Sequence, residues 1–73
     1  MATIDINCDI TGTIWKILVS EGQTVTEDEP VVIVESMKME IPVMAPEDGT
    51  ITEIVVAEGD MVAEGALLAR MST

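Results

Sequence analysis

Short runs of β-branched and other aliphatic residues alternate with polar, turn-forming clusters along the 73-residue chain. The clusters recur at intervals of roughly ten residues, which is typical of proteins built from short strands. No window shows the 3.6-residue apolar period of an amphipathic helix. The pattern predicts an all-β sandwich or flattened barrel. Residues 1–73 are expected to form one domain, because a chain of this length supports a single small core.

The chain contains an internal repeat. Segment 12–27 recurs as segment 49–64 without a gap, and nine of the sixteen positions are identical. Each copy opens with a glycine, continues through a β-branched run and reaches a Glu-Gly turn, at Gly22 or Gly59. Two copies of one supersecondary unit are expected to pack face to face around a shared core. The repeat therefore predicts two equivalent halves.

Strand alternation is interrupted at the same place in each copy. Ile14 has the opposite parity from Ile17, and the second copy repeats this mismatch. A β-bulge near Trp15, or near Thr52 in the second copy, would reconcile the two parities. Because Thr52 replaces the large ring of Trp15, we expect a partly exposed position or a local difference between the halves.

A hairpin is predicted between the two copies. Apolar runs at 31–35 and 40–43 flank Met37-Lys38, so a two-residue turn there would place Lys38 at the tip. Such turns favour Asn-Gly because both central residues need positive φ, and a local rule broken this openly is typical of a functional site. Pro42 predicts an edge or interrupted strand. The predicted cross-strand pairs are Glu35 with Glu40 and Ser36 with Met39.

Charge and composition exclude several classes of partner. With 14 acidic and 3 basic residues, the formal net charge of −11 repels phosphate backbones and anionic membrane surfaces, so neither nucleic acid nor a membrane is expected as a partner. The acidity favours solubility or complements basic faces on partner enzymes. No run approaches the ~18 apolar residues of a membrane span and no targeting segment is recognised. We expect a cytoplasmic protein in which Cys8 is a buried structural thiol.

The residue inventory also limits the chemistry. With no His and a single Cys, the usual zinc sites and His-based nucleophile relays are excluded. Glu35 and Glu40 would face each other as like charges that repel and stay solvated, so they are not assigned as an acid/base pair. No catalytic residue and no metal site is predicted.

Residues 35–40, ESMKME, resemble the attachment motif of the biotinyl/lipoyl domain family, in which a lysine lies between two methionines on an exposed hairpin. The resemblance covers nearly the whole chain, including Gly12 and Gly49, and is greatest to small single-domain biotin carboxyl carrier or biotin/lipoyl attachment proteins of bacteria. It implies a flattened barrel of two four-stranded antiparallel sheets with pseudo-two-fold symmetry, and a hairpin far from the termini. Segment 18–22 runs on directly, so the thumb insertion of some larger carriers is absent.

The same resemblance implies a function. A biotin protein ligase would biotinylate Lys38, and Met37 and Met39 would flank it as recognition residues. The biotin would carry a carboxyl group between the biotin carboxylase and carboxyltransferase of an acyl-CoA or oxo acid carboxylase, and tethering would raise its effective concentration at both sites. The carrier itself would catalyse neither step. The remaining residues of the implied attachment hairpin are Glu35, Ser36 and Glu40.

Three alternatives stay open at this point. Lys38 could accept lipoate, or both cofactors, although lipoyl domains usually place Asp before and Ala after the lysine where Met37 and Met39 stand here. The chain could instead be an acidic β-barrel that acts as an interaction module without a cofactor. A free-standing carrier could also serve as a cofactor reservoir and not as an enzyme subunit.

Overall fold

The computed structural model describes residues 2–73, and within them it contains strands and no helices. The prediction of an all-β protein is therefore confirmed. No helix in this part of the chain is long and apolar enough to cross a membrane. The strands are β1 (Thr3–Asn7), β2 (Gly12–Ile17), β3 (Thr24–Val25), β4 (Pro30–Ser36), β5 (Met39–Met44), β6 (Gly49–Ile54), β7 (Met61–Val62) and β8 (Leu67–Ser72).

The strands form two four-stranded antiparallel sheets. We call the sheet with the order β5-β4-β2-β7 the hairpin sheet, and the sheet with the order β1-β8-β6-β3 the opposite sheet. Inward-facing aliphatic side chains of both sheets fill one core, in which Ile14, Ile51, Leu68 and Met71 are the largest fully buried side chains. Cys8 is also buried, as predicted, and its thiol donates a hydrogen bond to the Ile10 carbonyl at 2.7 Å.

Residues 37 positions apart occupy equivalent places in the two sheets, which confirms the two equivalent halves. The Gly22 N–H donates to the Ile51 carbonyl at 2.6 Å, and the Gly59 N–H donates to the Ile14 carbonyl at 2.7 Å. Both turn glycines have positive φ, at 88° and 95°. Each half therefore closes its turn on the central strand of the other half, and the two sheets depend on each other.

Both predicted β-bulges are present. The β2–β4 register shifts between Ile14 and Lys16, and the β6–β8 register shifts between Ile51 and Glu53. In each case the extra residue lets the two parts of one strand keep their apolar side chains on the core side. The bulged Trp15 is 43% exposed, which confirms the prediction of a partly exposed position.

The glycines that open the two repeats are required by close packing. A Cβ on Gly12 would collide with the Glu35 carbonyl oxygen and would lie 2.8 Å from Val34 Cγ1. Gly49 meets the same obstacle at the Ser72 carbonyl oxygen in the second half. A glycine at these points lets β2 and β6 approach the ends of β4 and β8.

Two details of the strands differ from expectation. The sequence reasoning missed β1, although the alternation of Ile4 and Ile6 was available as a signal; the partner of β1 is β8, at the other end of the chain. The strand predicted at 31–35 is extended by one residue at each end, to Pro30–Ser36, and its equivalent in the second half is Leu67–Ser72. Pro42 lies on β5, an edge strand, as predicted.

Candidate functional site

The central hairpin has the predicted register. Across β4 and β5, Glu35 pairs with Glu40 and Ser36 pairs with Met39, so that Met37 and Lys38 alone form the turn. Both turn residues have positive φ, 52° for Met37 and 65° for Lys38. This conformation matches the twist of the flanking strands, which is why hairpins select it.

The turn conformation is unfavourable for the residues that adopt it. A left-handed backbone costs a non-glycine residue roughly 1–2 kcal/mol, because Cβ approaches the following carbonyl oxygen. The β4–β5 ladder of six residue pairs compensates for this cost by fixing both ends of the turn. The ladder thus holds Lys38 at the outer end of the hairpin in a strained backbone conformation.

The side chains at the tip are open to solvent. Met37 is 89% exposed and Met39 is 58% exposed. Lys38, Glu35 and Glu40 also fall in the exposed class, and Ser36 is partly buried. The six residues of the predicted site are therefore brought together in one hairpin, with an accessible primary amine at its end.

The ion pairs among residues 2–73 lie away from the hairpin tip. Arg70 contacts Asp5 at 3.4 Å and Glu53 at 2.8 Å, and its hydrogen bond with the Glu53 carboxylate raises the pKa of Arg70. Within residues 2–73 Lys38 forms no ion pair, and no cluster of three or more His, Cys, Asp or Glu is arranged to hold a metal ion. The Lys38 amine is accordingly not sequestered by a carboxylate of its own chain.

Within residues 2–73, the two-residue hairpin turn is present in one half, whereas the strands that flank it have counterparts in both halves. The pair Ser36–Met39 corresponds to Thr73 and Ala2 in the other half, and the Thr73 N–H donates to the Ala2 carbonyl at 2.9 Å. The two chain ends thus lie where a second turn would be. This asymmetry restricts the exposed lysine to the hairpin sheet.

The fold and this hairpin agree with a match to a known family. The family model described as "Biotin-requiring enzyme", the biotin/lipoyl domain, matches residues 5–71. The chain belongs to the biotin/lipoyl domain family. It is an attachment domain, and within this family it resembles proteins that consist of little else.

Two relatives have almost the same length. A biotin/lipoyl attachment protein of Bacillus subtilis is 39% identical over 67 residues, which is 92% of each chain. A biotinylated protein of Mycobacterium leprae is 37% identical over 68 residues, covering 93% of this chain and 96% of that protein. The two relatives of this length are an attachment protein and a biotinylated protein, and the present chain is likewise a non-catalytic attachment protein.

The chain also matches short parts of much longer proteins. The crystal structure of Kluyveromyces lactis urea carboxylase superposes with a TM-score of 0.92 and 32% identity, over 99% of this chain but 6% of that one. A biotin-dependent acyl-coenzyme A carboxylase subunit of Mycobacterium leprae is 42% identical over 11% of its length. A lipoyl relative, the dihydrolipoyllysine-residue acetyltransferase of Haemophilus influenzae, is 37% identical over 13% of its length. Both cofactor classes are therefore represented among the relatives.

One feature near the site was only partly predicted from the sequence. The exposed side chains of Trp15 and Met61 belong to the hairpin sheet, on β2 and β7. Their positions in the repeat hold Thr52 and Thr24 in the other half. The exposure of Trp15 was predicted from its replacement by Thr52, but the difference between Met61 and Thr24 was missed.

Proposed function

We propose that Lys38 carries covalently attached biotin and that the chain is a biotin carboxyl carrier. One observation carries the proposal: an exposed lysine, held between two exposed methionines, forms the tip of the central hairpin in a biotin/lipoyl domain. Attachment needs a primary amine that another enzyme can reach, and the position of Lys38 supplies it. When bound, biotin would accept a carboxyl group from one active site and deliver it to another.

The chain's own residues would present the amine and keep it apart from other groups. The positive φ values at Met37 and Lys38 turn the lysine outward, and the β4–β5 ladder limits its movement. A lysine ammonium is a poor nucleophile until a partner removes its proton, so activation of Lys38 would fall to a biotin protein ligase. Met37 and Met39 would offer the ligase pliant apolar contacts on either side of the amine.

The partners follow from tethering. A biotin carboxylase and a carboxyltransferase would act in turn on the attached cofactor, and the carrier would raise the cofactor's local concentration at each of them. The carboxylase relatives support this assignment, since each includes a matching domain within a longer chain. We expect the carrier to meet these partners in the cytoplasm.

Lipoate is the second candidate for Lys38. The lipoyl relative from Haemophilus influenzae matches 94% of this chain, so the fold alone does not separate the two cofactors. The biotinylated relative of the same length and the Met-Lys-Met sequence both favour biotin. In the lipoyl case the domain would carry acyl groups in an oxo acid dehydrogenase.

The test is the intact mass of the protein after expression with biotin and lipoate ligases, followed by fragmentation. The parent protein should gain one biotinyl group on Lys38. Lys38→Arg should gain none and unfold at the parent's temperature, because the charge is kept and the acylable amine is lost. Lys16→Arg is the matched control and should be modified like the parent.

Each other outcome has a definite meaning. Biotin on the Lys38→Arg variant would refute the site. A lipoyl group on the parent would replace the carboxyl-carrier role with acyl transfer. A parent protein that stays unmodified with both ligases would favour a cofactor-free interaction module.

A further inference from the structure

The outer faces of the two sheets differ in chemistry although the fold makes them equivalent. We define the docking face as four outward-facing residues of the hairpin sheet: Trp15, Ile33, Pro42 and Met61. Their equivalents, 37 positions away on the opposite sheet, are Thr52, Arg70, Asp5 and Thr24. Every apolar residue on one side corresponds to a polar residue on the other.

The register shows that these side chains share one surface. Lys16 pairs with Ile33, and Ile33 pairs with Pro42, so the three residues form one row across the hairpin sheet. Val32 and Val34, the neighbours of Ile33, are buried, and alternation therefore turns Ile33 outward. The Lys16 amine lies 5.7 Å from the centre of the Trp15 ring, which places both side chains on this outer side.

The apolar character of the docking face is not needed for folding. On the opposite sheet the equivalent row holds Glu53, Arg70 and Asp5, which are joined by ion pairs, and that sheet has the same strands and bulge. Met61 is 83% exposed where the other half has a threonine. Large exposed Trp and Met side chains on a small acidic protein are typical of a protein-binding surface.

The size of a typical protein–protein contact indicates which kind of partner would bind the docking face. An enzyme that acylates the Lys38 amine must touch the hairpin tip, since the lysine stem is only four carbons long. A stable contact covers roughly 800 Å² on each partner, far more than a two-residue turn supplies. The enzymes that use the attached cofactor work at the end of a long arm and need not cover the sheet.

The docking face lies next to the hairpin tip, where the contact surface of such an enzyme would extend. The row of Pro42 is three residues from Met39, about 10 Å along the strand. Glu35 and Glu40 lie between this row and the tip, in the same outward row as Met61. A complementary partner would have an apolar centre bordered by Arg or Lys.

We propose that the docking face binds the ligase that modifies Lys38, as an extension of its contact with the hairpin. The inference rests on the proposed function, because it requires a modified Lys38. The ligase would recognise the folded sheet as well as the Met-Lys-Met tip. Recognition would then be possible only for the side of the domain that carries the lysine.

The repeat itself supplies the test variant. The double variant Trp15→Thr, Met61→Thr gives the hairpin sheet the threonines that are present at the equivalent positions of the opposite sheet. The variant should therefore fold, and thermal unfolding checks this. With a bacterial biotin protein ligase, ATP and biotin, the initial rate of Lys38 biotinylation is measured by intact mass. We expect kcat/KM to fall at least about tenfold, mainly through a higher KM. Val55→Thr, an exposed apolar residue following β6, is the matched control and should behave like the parent.

The outcomes separate the inference from the function on which it rests. Equal kcat/KM for the parent and the double variant would overturn the docking face and leave the carrier function intact. A lower kcat with an unchanged KM would also overturn it, since docking acts on binding. Normal biotinylation combined with impaired carboxylation of the biotinylated variant would assign the face to the carboxylase instead. A parent protein that gains no biotin would overturn the proposed function and this inference together.

Discussion

The Met37-Lys38 turn presents an exposed amine and an exposed thioether at the cost of local stability. Sequences that favour this turn place Asn or Gly at the central positions, because these residues tolerate positive φ. Here both positions hold long side chains at φ values of 52° and 65°. The amine and its neighbouring thioethers are thus present where backbone preference alone would remove them.

Replacing Met37 with Asn should separate these two effects. Asn adopts positive φ more readily than Met, so Met37→Asn should raise the free energy of unfolding by roughly 0.5–1 kcal/mol. The loss of the exposed thioether should at the same time slow biotinylation of Lys38. Urea unfolding and the initial rate of modification are the two measurements.

Met39→Asn is the comparison variant for stability. Met39 belongs to β5 and lies outside the turn, and Asn is unfavourable in strands. This variant should be less stable than the parent. If Met37→Asn is no more stable than the parent, the turn is not strained as described. If it is more stable and modified at the parent's rate, Met37 has no part in recognition.

At the level of the strands, two glutamates connect the halves. The Glu58 carboxylate accepts a hydrogen bond from the Ile17 N–H at 3.2 Å, and the Glu21 carboxylate accepts one from the Ile54 N–H at 3.0 Å. Each glutamate belongs to the turn of one half. It accepts a hydrogen bond from the backbone N–H of the last residue in β2 or β6 of the other half. This reciprocal contact gives a physical reason for the identical Glu-Gly turns of the two repeats.

Removing either contact should destabilise the domain by a similar amount. Glu21→Ala and Glu58→Ala should each lower the free energy of unfolding by about 0.5–1.5 kcal/mol, the usual net contribution of one hydrogen bond. Glu64→Ala is the control, since it removes the same charge from an exposed side chain that makes no hydrogen bond within residues 2–73. Urea unfolding of the three variants tests this, and equal losses for Glu58→Ala and Glu64→Ala would show that charge and not the bond is responsible.

Much of the architecture could be predicted because its signals are local. The parity change beside Trp15 locates a bulge, Pro42 locates an edge strand, and the spacing around Met37-Lys38 fixes the hairpin register. The contacts that escaped prediction join distant segments. The Glu21–Ile54 bond spans 33 residues, and no short pattern specifies such a partner.

For the candidate site, sequence reasoning reached only the hairpin that contains it. The six residues at 35–40 are adjacent in sequence, so one motif identifies them all. The residues of the docking face come from β2, β4, β5 and β7. They lie side by side only because of the strand order in the folded sheet. The left-handed conformation of Asp28, with φ of 68°, was likewise missed, although its repeat equivalent is Gly65.

Acidic side chains greatly outnumber basic ones in the whole molecule. Of the three basic side chains, Arg70 is ion-paired and Lys16 lies over Trp15, and the third is Lys38 at the tip. Amide formation on Lys38 would remove one positive charge and change the formal net charge from −11 to −12. Under the proposed function, the acidic unmodified carrier would therefore be attracted to a ligase with a basic border, and Lys38 at the tip would be the group that reacts.

Long-range attraction of this kind should make biotinylation sensitive to salt. Raising the NaCl concentration from about 50 mM to about 500 mM shortens the Debye length several-fold, so KM for the carrier should rise at least about fivefold while kcat changes little. Replacing Glu35 and Glu40 together with Gln should raise KM at low salt and reduce its salt dependence, because these carboxylates lie between the tip and the docking face. The ligase's formation of biotinyl-AMP, which does not involve the carrier, is the control for salt effects on the enzyme. A KM that is independent of salt would mean that the acidic surface serves solubility alone and that apolar contact with the docking face determines recognition.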